Sequence, residues 1–169
     1  IRPVTSTSRK VRAIWNILHN QGMRSNVIGW WPSNPAEPIN GVMVSNLYQQ
    51  ANKPFDKEWD IPDGTVHPKD MSEIMKDFRV HPQELTGNHL SPFINNLKDI
   101  DHKEDKRVMG VAKTLANAAS IHAASTYLQR ETEWDFMAVY HDAIDHFSHL
   151  AMKFHPPMRK GIPKDIYEN

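Results

Sequence analysis

The chain has 169 residues, in which 20 Lys and Arg offset 20 Asp and Glu, 39% of positions are apolar and 24% are charged. That composition is enough for one folded domain with a core and too apolar for a chain that stays disordered. It also lacks the basic excess of a nucleic-acid binder or an anionic-membrane binder, so neither partner is expected. With no Cys there is no disulfide framework and no thiolate, and any metal must be held by imidazole and oxygen.

The chain opens Ile1-Arg2-Pro3, with no Met, no charged-then-apolar leader and no apolar run near the roughly 20 residues of a membrane span. It therefore reads as a fragment or a processed chain, and its localisation is left open. Ser8 to Asn20 is expected to be an amphipathic helix, because Val11, Ile14, Trp15 and Leu18 fall at i, i+3, i+4 and i+7, with Ser8 as N-cap and Gly22 as stop. Residues 26–31 are β-prone and nearly all apolar, which suits a strand covered on both faces. Pro32, Pro35 and Pro38 then impose a loop, and Gly41 leads into a second short strand, Val42-Met43-Val44.

From about 49 to 105 the character changes. Pro54, Pro62, Pro68, Pro82 and Pro92 separate short polar segments, with helices predicted near 70–79 and 91–98 and no sheet. Residues 105–130 follow as a long helix with an inner stripe of small side chains: Val108, Val111, Ala112, Leu115, Ala116, Ala119, His122, Ala123 and Leu128. Trp134 to Tyr140 is the clearest strand. The chain thus divides into a core segment 1–48, a mainly helical insertion or cap 49–131, and a second core segment 132–169 that carries a strand, a turn and a helix. Helix, strand and a turn bearing chemistry is the α/β habit of placing ligands at the carboxyl ends of parallel strands.

The ten histidines are unevenly spread, with four of them between His141 and His155, alongside Asp142 and Asp145. Asp145 and His149 stand at i, i+4, so on a helix they share one face and can share one cation. His146 and His149 offer a similar spacing, and Asp142 could cap the helix. The same i, i+4 pair also serves as a solvated ion pair, and two ligands alone do not satisfy zinc, which takes three or four. His67, His81, His89 and His102 read as surface residues, His122 as a hydrogen-bonded core imidazole, and His19 as a partner of a helix C-terminus.

Two stretches, Asn26–Ser45 and Trp134–Pro157, together resemble the type I phosphodiesterase/nucleotide pyrophosphatase family of the alkaline phosphatase superfamily, and the likeness continues more weakly between them. The resemblance implies an α/β fold, part of an alkaline-phosphatase-like core carrying a mainly helical insertion. It implies that Asp145 and His149, in the family's Asp-x-x-x-His motif, bind one of two active-site divalent metals, zinc or manganese. Ser148 stands where relatives commonly have Gly, and Tyr140 and Asp142 fall where relatives carry an aromatic and an acid, neither assigned to the metal. The nucleophilic Thr or Ser and one Asp ligand are expected upstream of Ile1, and the remaining ligands downstream of Asn169, so no catalytic nucleophile is expected within the chain. The implied function is that of a central fragment of a metal-dependent phosphohydrolase acting on a small-molecule phosphate ester or nucleotide. Two rival readings are a non-catalytic fragment that associates with copies of itself as a homo-oligomer, and a helical metal-binding or protein-interaction module.

Overall fold

The computed structural model describes residues 3–51, 53–101 and 105–168 and is α/β. These residues group into two compact units: Ile1–Arg79 with Ala119–His141, and Val80–Ala118 with Asp142–Asn169. No helix among the described residues is long and apolar enough to cross a membrane.

The first unit is built on a four-stranded sheet of β1 (Ser25–Ile28), β2 (Gly41–Val44), β3 (Val66–His67) and β4 (Phe136–Val139), in the order β3-β2-β1-β4. β1 runs parallel to both β2 and β4, and all four of its residues, Ser25 and Asn26 as well as Val27 and Ile28, are buried, as expected for a strand covered on both faces. Alternate side chains serve opposite faces. Val27 and Met43 pack with Trp15 and Ile39 on one side, and Ile28, Val42 and Val44 pack with Ile121, Ala124 and Leu128 on the other. The last three residues belong to α4 (Arg107–Glu131), which matches the long helix expected over 105–130.

The buried stripe on the C-terminal half of α4 is rotated from the expected one. Ala116, Ser120, Ile121, Ala124 and Leu128 face inward, and His122 is exposed. Runs of small residues on several faces of this helix leave the 3.6-residue pattern ambiguous, and the fit of Ile121 against the sheet selects the face.

Other boundaries differ from the sequence pattern for local reasons. The first helix, α1, covers only Ile14–Asn20. Before it, both Glu37 carboxylate oxygens accept hydrogen bonds from Arg9 Nη2 at 2.6 and 2.8 Å, and Arg9 Nε donates to the Val11 carbonyl, so this stretch is held in a non-helical path. β1 ends at Ile28 because Gly29 turns away at φ 68°. The proline loop that follows is anchored by Asn46, whose Oδ1 accepts the amides of Ser33 and Asn34 at 2.9 and 3.1 Å.

The insertion also contributes to the sheet, against expectation: β3 pairs antiparallel with β2, through Met43↔His67 and Val44↔Val66. Two β-branched or ring side chains between turns are too short a run to register as a strand in sequence, and an antiparallel edge on a parallel sheet is common. The predicted 70–79 helix contracts to α2 (Met71–Lys76), and in place of one at 91–98 there are α3 (Gly87–Leu90) and a 3-10 turn at Leu97–Asp99. Buried Tyr48 donates its hydroxyl to the Met75 carbonyl at 2.8 Å, tying the exit of β2 to α2, and burial pushes its pKa above the ordinary tyrosine value.

The second unit has its own apolar cluster of Leu90, Ile94, Ile100, Val108, Val111 and Ala112, with Phe147 and Leu150 of α5 (Ala143–Ala151) packed on it. Gly110 allows close approach here, since a Cβ on it would lie 3.3 Å from the Leu150 methyls. The short α6 (Lys164–Glu168) completes this unit.

Asn26 is the one polar side chain of β1 that faces α4. Its Nδ2 donates to Thr132 Oγ1 at 2.8 Å and the Leu128 carbonyl at 3.4 Å, while its Oδ1 accepts the Val42 amide at 3.2 Å. It therefore satisfies polar groups at the end of the helix and in the neighbouring strand. Asn26→Ala is expected to destabilise the fold by about 2 kcal/mol, because these buried groups lose their partner. Urea unfolding of the two proteins side by side checks this, and equal midpoints would show that the network contributes nothing.

Candidate active site

In the first unit the carboxyl ends of β1 and β4 lie side by side, because the register Ser25↔Phe136 through Ile28↔Val139 ends both strands together. Gly29 and Tyr140 follow directly. The Tyr140 amide donates to the Ile28 carbonyl at 2.9 Å, carrying the pairing one residue past the strand. Trp30 packs edge-on against Trp15 and at a tilt against Tyr140, with ring centroids 6.1 and 5.8 Å away. Trp30, Trp31 and Tyr140 remain 38%, 57% and 41% exposed, so the pair expected in a buried strand instead forms an aromatic rim at the strand ends. Such faces stack planar groups. His122 and His141 are exposed nearby, with ring centroids 6.4 Å apart.

The second unit holds the other sequence-derived candidates, on α5. Asp145 Oδ1 lies 3.5 Å from His149 Nε2, and the two side chains are 68% and 81% exposed. This separation is long for a hydrogen bond. It matches the edge of a coordination tetrahedron, since two ligand atoms about 2.1 Å from one zinc ion sit roughly 3.4 Å apart. The donor set, one carboxylate and one imidazole, suits zinc or manganese. On these observations the pair fits one cation as a partial ligand set. Among the described residues, no group of three or more His, Cys, Asp or Glu side chains converges to hold a metal.

Asp142 and His146 make a second i, i+4 pair at 3.9 Å, and Asp142 does not cap α5 with its side chain. Ser148 Oγ donates back to the Ile144 carbonyl at 2.7 Å, so its hydroxyl stays on the helix. The remaining histidines are mixed. His19 Nδ1 accepts the Asn40 amide at 2.8 Å, bracing the loop before β2 in addition to ending α1. His81 is buried, not on the surface, and accepts the Gln83 amide, while His89 is exposed and His67 half-buried in β3. His102 lies outside the described residues.

A family model for type I phosphodiesterase / nucleotide pyrophosphatase matches residues 4–162. The chain belongs to that family. Searches against curated proteins and solved structures returned no significant match. The family is one of phosphoester hydrolases within the alkaline-phosphatase-like superfamily. Its members are typically divalent-metal dependent and act on small-molecule phosphate esters and nucleotides. The four-stranded sheet with its helices is consistent with the α/β fold of this family.

The turn at Gly29 is under steric control. An added Cβ would lie 2.8 Å from Ile121 Cδ1 and 3.0 Å from the Tyr140 carbonyl oxygen, at a φ that L side chains rarely adopt. Gly29→Ala is expected to cost about 2 kcal/mol and to shift the emission of Trp30, which the turn carries. Thermal unfolding with tryptophan fluorescence tests both, and an unchanged melting temperature would show that the turn relaxes freely.

Proposed function

We propose that this chain supplies part of the metal site of a phosphodiesterase/nucleotide pyrophosphatase-type hydrolase, with Asp145 and His149 as two ligands of one divalent cation, zinc or manganese. The observation that supports it is the 3.5 Å approach of Asp145 Oδ1 to His149 Nε2 on an exposed helix face, in a chain of a metal-dependent phosphoesterase family. The family motif Asp-x-x-x-His falls on these two positions.

A divalent cation bound there would neutralise charge on phosphoryl oxygens and lower the pKa of the attacking water or hydroxyl. The chain's own residues prepare for this in separate ways. Asp145 brings an anionic oxygen donor that offsets the positive charge of the ion. His149 brings a neutral ring nitrogen, which requires it to be unprotonated on that atom, so acid pH competes with binding. Packing of Phe147 and Leu150 against the second unit's core fixes the inner face of α5 and so sets the direction of the outer one. No residue of this chain is assigned as nucleophile. The substrate class proposed is a small phosphate ester or nucleotide.

The test is a diester and monoester hydrolysis assay on the intact gene product, with Asp145→Ala and His149→Ala beside it. Each variant is expected to lose at least about a hundredfold in turnover, as removal of a metal ligand should. Both side chains are mostly solvent-exposed, so stability should change by less than about 0.5 kcal/mol and the loss cannot be ascribed to unfolding. Unchanged turnover in both variants would sink the assignment. The 169 residues alone are expected to hydrolyse neither ester class, and metal-dependent turnover by them would place the nucleophile inside this chain.

A further inference from the structure

We propose that His122 and His141 form a separate two-imidazole chelate for a divalent transition ion, with Cu2+ preferred over Zn2+ and Ni2+. This site lies wholly within the first unit and does not depend on the role given to Asp145 and His149.

The geometry comes first. A metal about 2.1 Å from a ring nitrogen lies roughly 3.2 Å from the ring centre, so two imidazoles sharing an ion have centroids roughly 4.5 to 6.4 Å apart as the N–metal–N angle opens from 90° to 180°. The observed centroid separation is 6.4 Å, with the rings inclined by 41°. That separation equals the outer limit of the range, so chelation needs rotation of these two exposed side chains to turn a nitrogen of each ring toward one ion.

Availability comes second. Among the described residues neither ring nitrogen of His122 or His141 takes part in a hydrogen bond or ion pair, so the lone pair of each neutral imidazole is free to coordinate. This distinguishes the pair from His19, His81 and His89, whose Nδ1 atoms accept backbone amides.

The two backbones are also held in place. His122 follows Ile121, which is 2% exposed and seated against Gly29, and His141 follows Tyr140, whose amide is bound to Ile28. Two ligands on packed neighbouring elements lose little freedom on binding, so the second imidazole acts at high effective concentration once the first is engaged. Two protein ligands leave the other positions to water, which makes an exchangeable site, not a structural one. Imidazole donors with open positions favour Cu2+ by the usual order of divalent-ion affinities.

The test uses the 169-residue chain and Cu2+ alone, followed by electron paramagnetic resonance and by quenching of tryptophan emission at pH 7.5. Trp30 packs at a tilt against Tyr140, the residue before His141, and so reports on an ion held there. The expected result is a spectrum with two equatorial nitrogens. His122→Ala and His141→Ala should each weaken binding by roughly tenfold or more, through loss of the chelate. The Asp145→Ala/His149→Ala double variant should bind as the parent does. Both histidines are exposed, so the melting temperatures of the single variants should match the parent and exclude misfolding as the cause. Single variants that bind as tightly as the parent would overturn the proposal, as would loss of the two-nitrogen spectrum in the double variant.

Discussion

The fold rests on a four-residue strand that has no contact with solvent. Each residue of β1 is buried, with a parallel strand on either side and side chains packed on both faces. An unpaired polar group is costly in that position, and although the strand carries one in the buried Ser25 hydroxyl, its larger polar side chain is fully partnered. Asn26 has to find partners on α4 and β2, and does. The starts of β1 and β2 come so close that a Cβ at Gly41 would lie 2.2 Å from the Ser25 carbonyl oxygen, so only glycine fits there. The loop between them spans residues 29–40, about the shortest length that can return a chain for a parallel pairing. Its prolines remove amides that would otherwise need acceptors, and Asn46 accepts the amides of Ser33 and Asn34.

This constraint also explains where chemistry-bearing residues gather. Parallel strands that end in register deliver their following residues to one edge, and here that edge receives Trp30, Tyr140 and His141. The tryptophan rings are partly exposed because β1 stops at Ile28, three residues before its apolar run ends at Trp31, where Gly29 turns the chain. The second unit places its candidates differently, on the outer face of a helix whose inner face is packed. Asp142, Asp145, His146 and His149 fall at i, i+3, i+4 and i+7 and make two Asp/His pairs along one stripe. Pairs this exposed contribute little to stability, since solvent screens them and ordering the side chains offsets the gain. Packing does not account for the composition of the stripe, whereas cation binding would use it.

Much of this was legible in the chain itself. The long helix over 105–130, the strand before Tyr140, the doubly covered strand near Val27 and the approach of Asp145 to His149 all follow from local periodicity or spacing. The alternation of strands and helices indicated α/β, and the two quoted stretches carried the resemblance that the family match bears out. The errors share a cause. The first helix is shorter than its periodicity implies because the Arg9–Glu37 pair, which holds residues 9–12 away from helix, joins positions far apart in sequence. β3 leaves no mark in the sequence because two residues show no period, and only β2 beside them makes a strand.

His122 shows the division most sharply. Its place on a helix follows from the residues around it, and in sequence it looked like a core imidazole among alanines. Which face of that helix meets the sheet depends on Ile121 fitting beside Gly29, a contact between distant segments that no local pattern encodes. Backbone conformation over a few residues is governed by neighbours in the chain, so helices, strands and the i, i+4 pair could be read directly. Burial, exposure and the meeting of His122 with His141 depend on how those pieces pack, and long-range packing energies alone decide them.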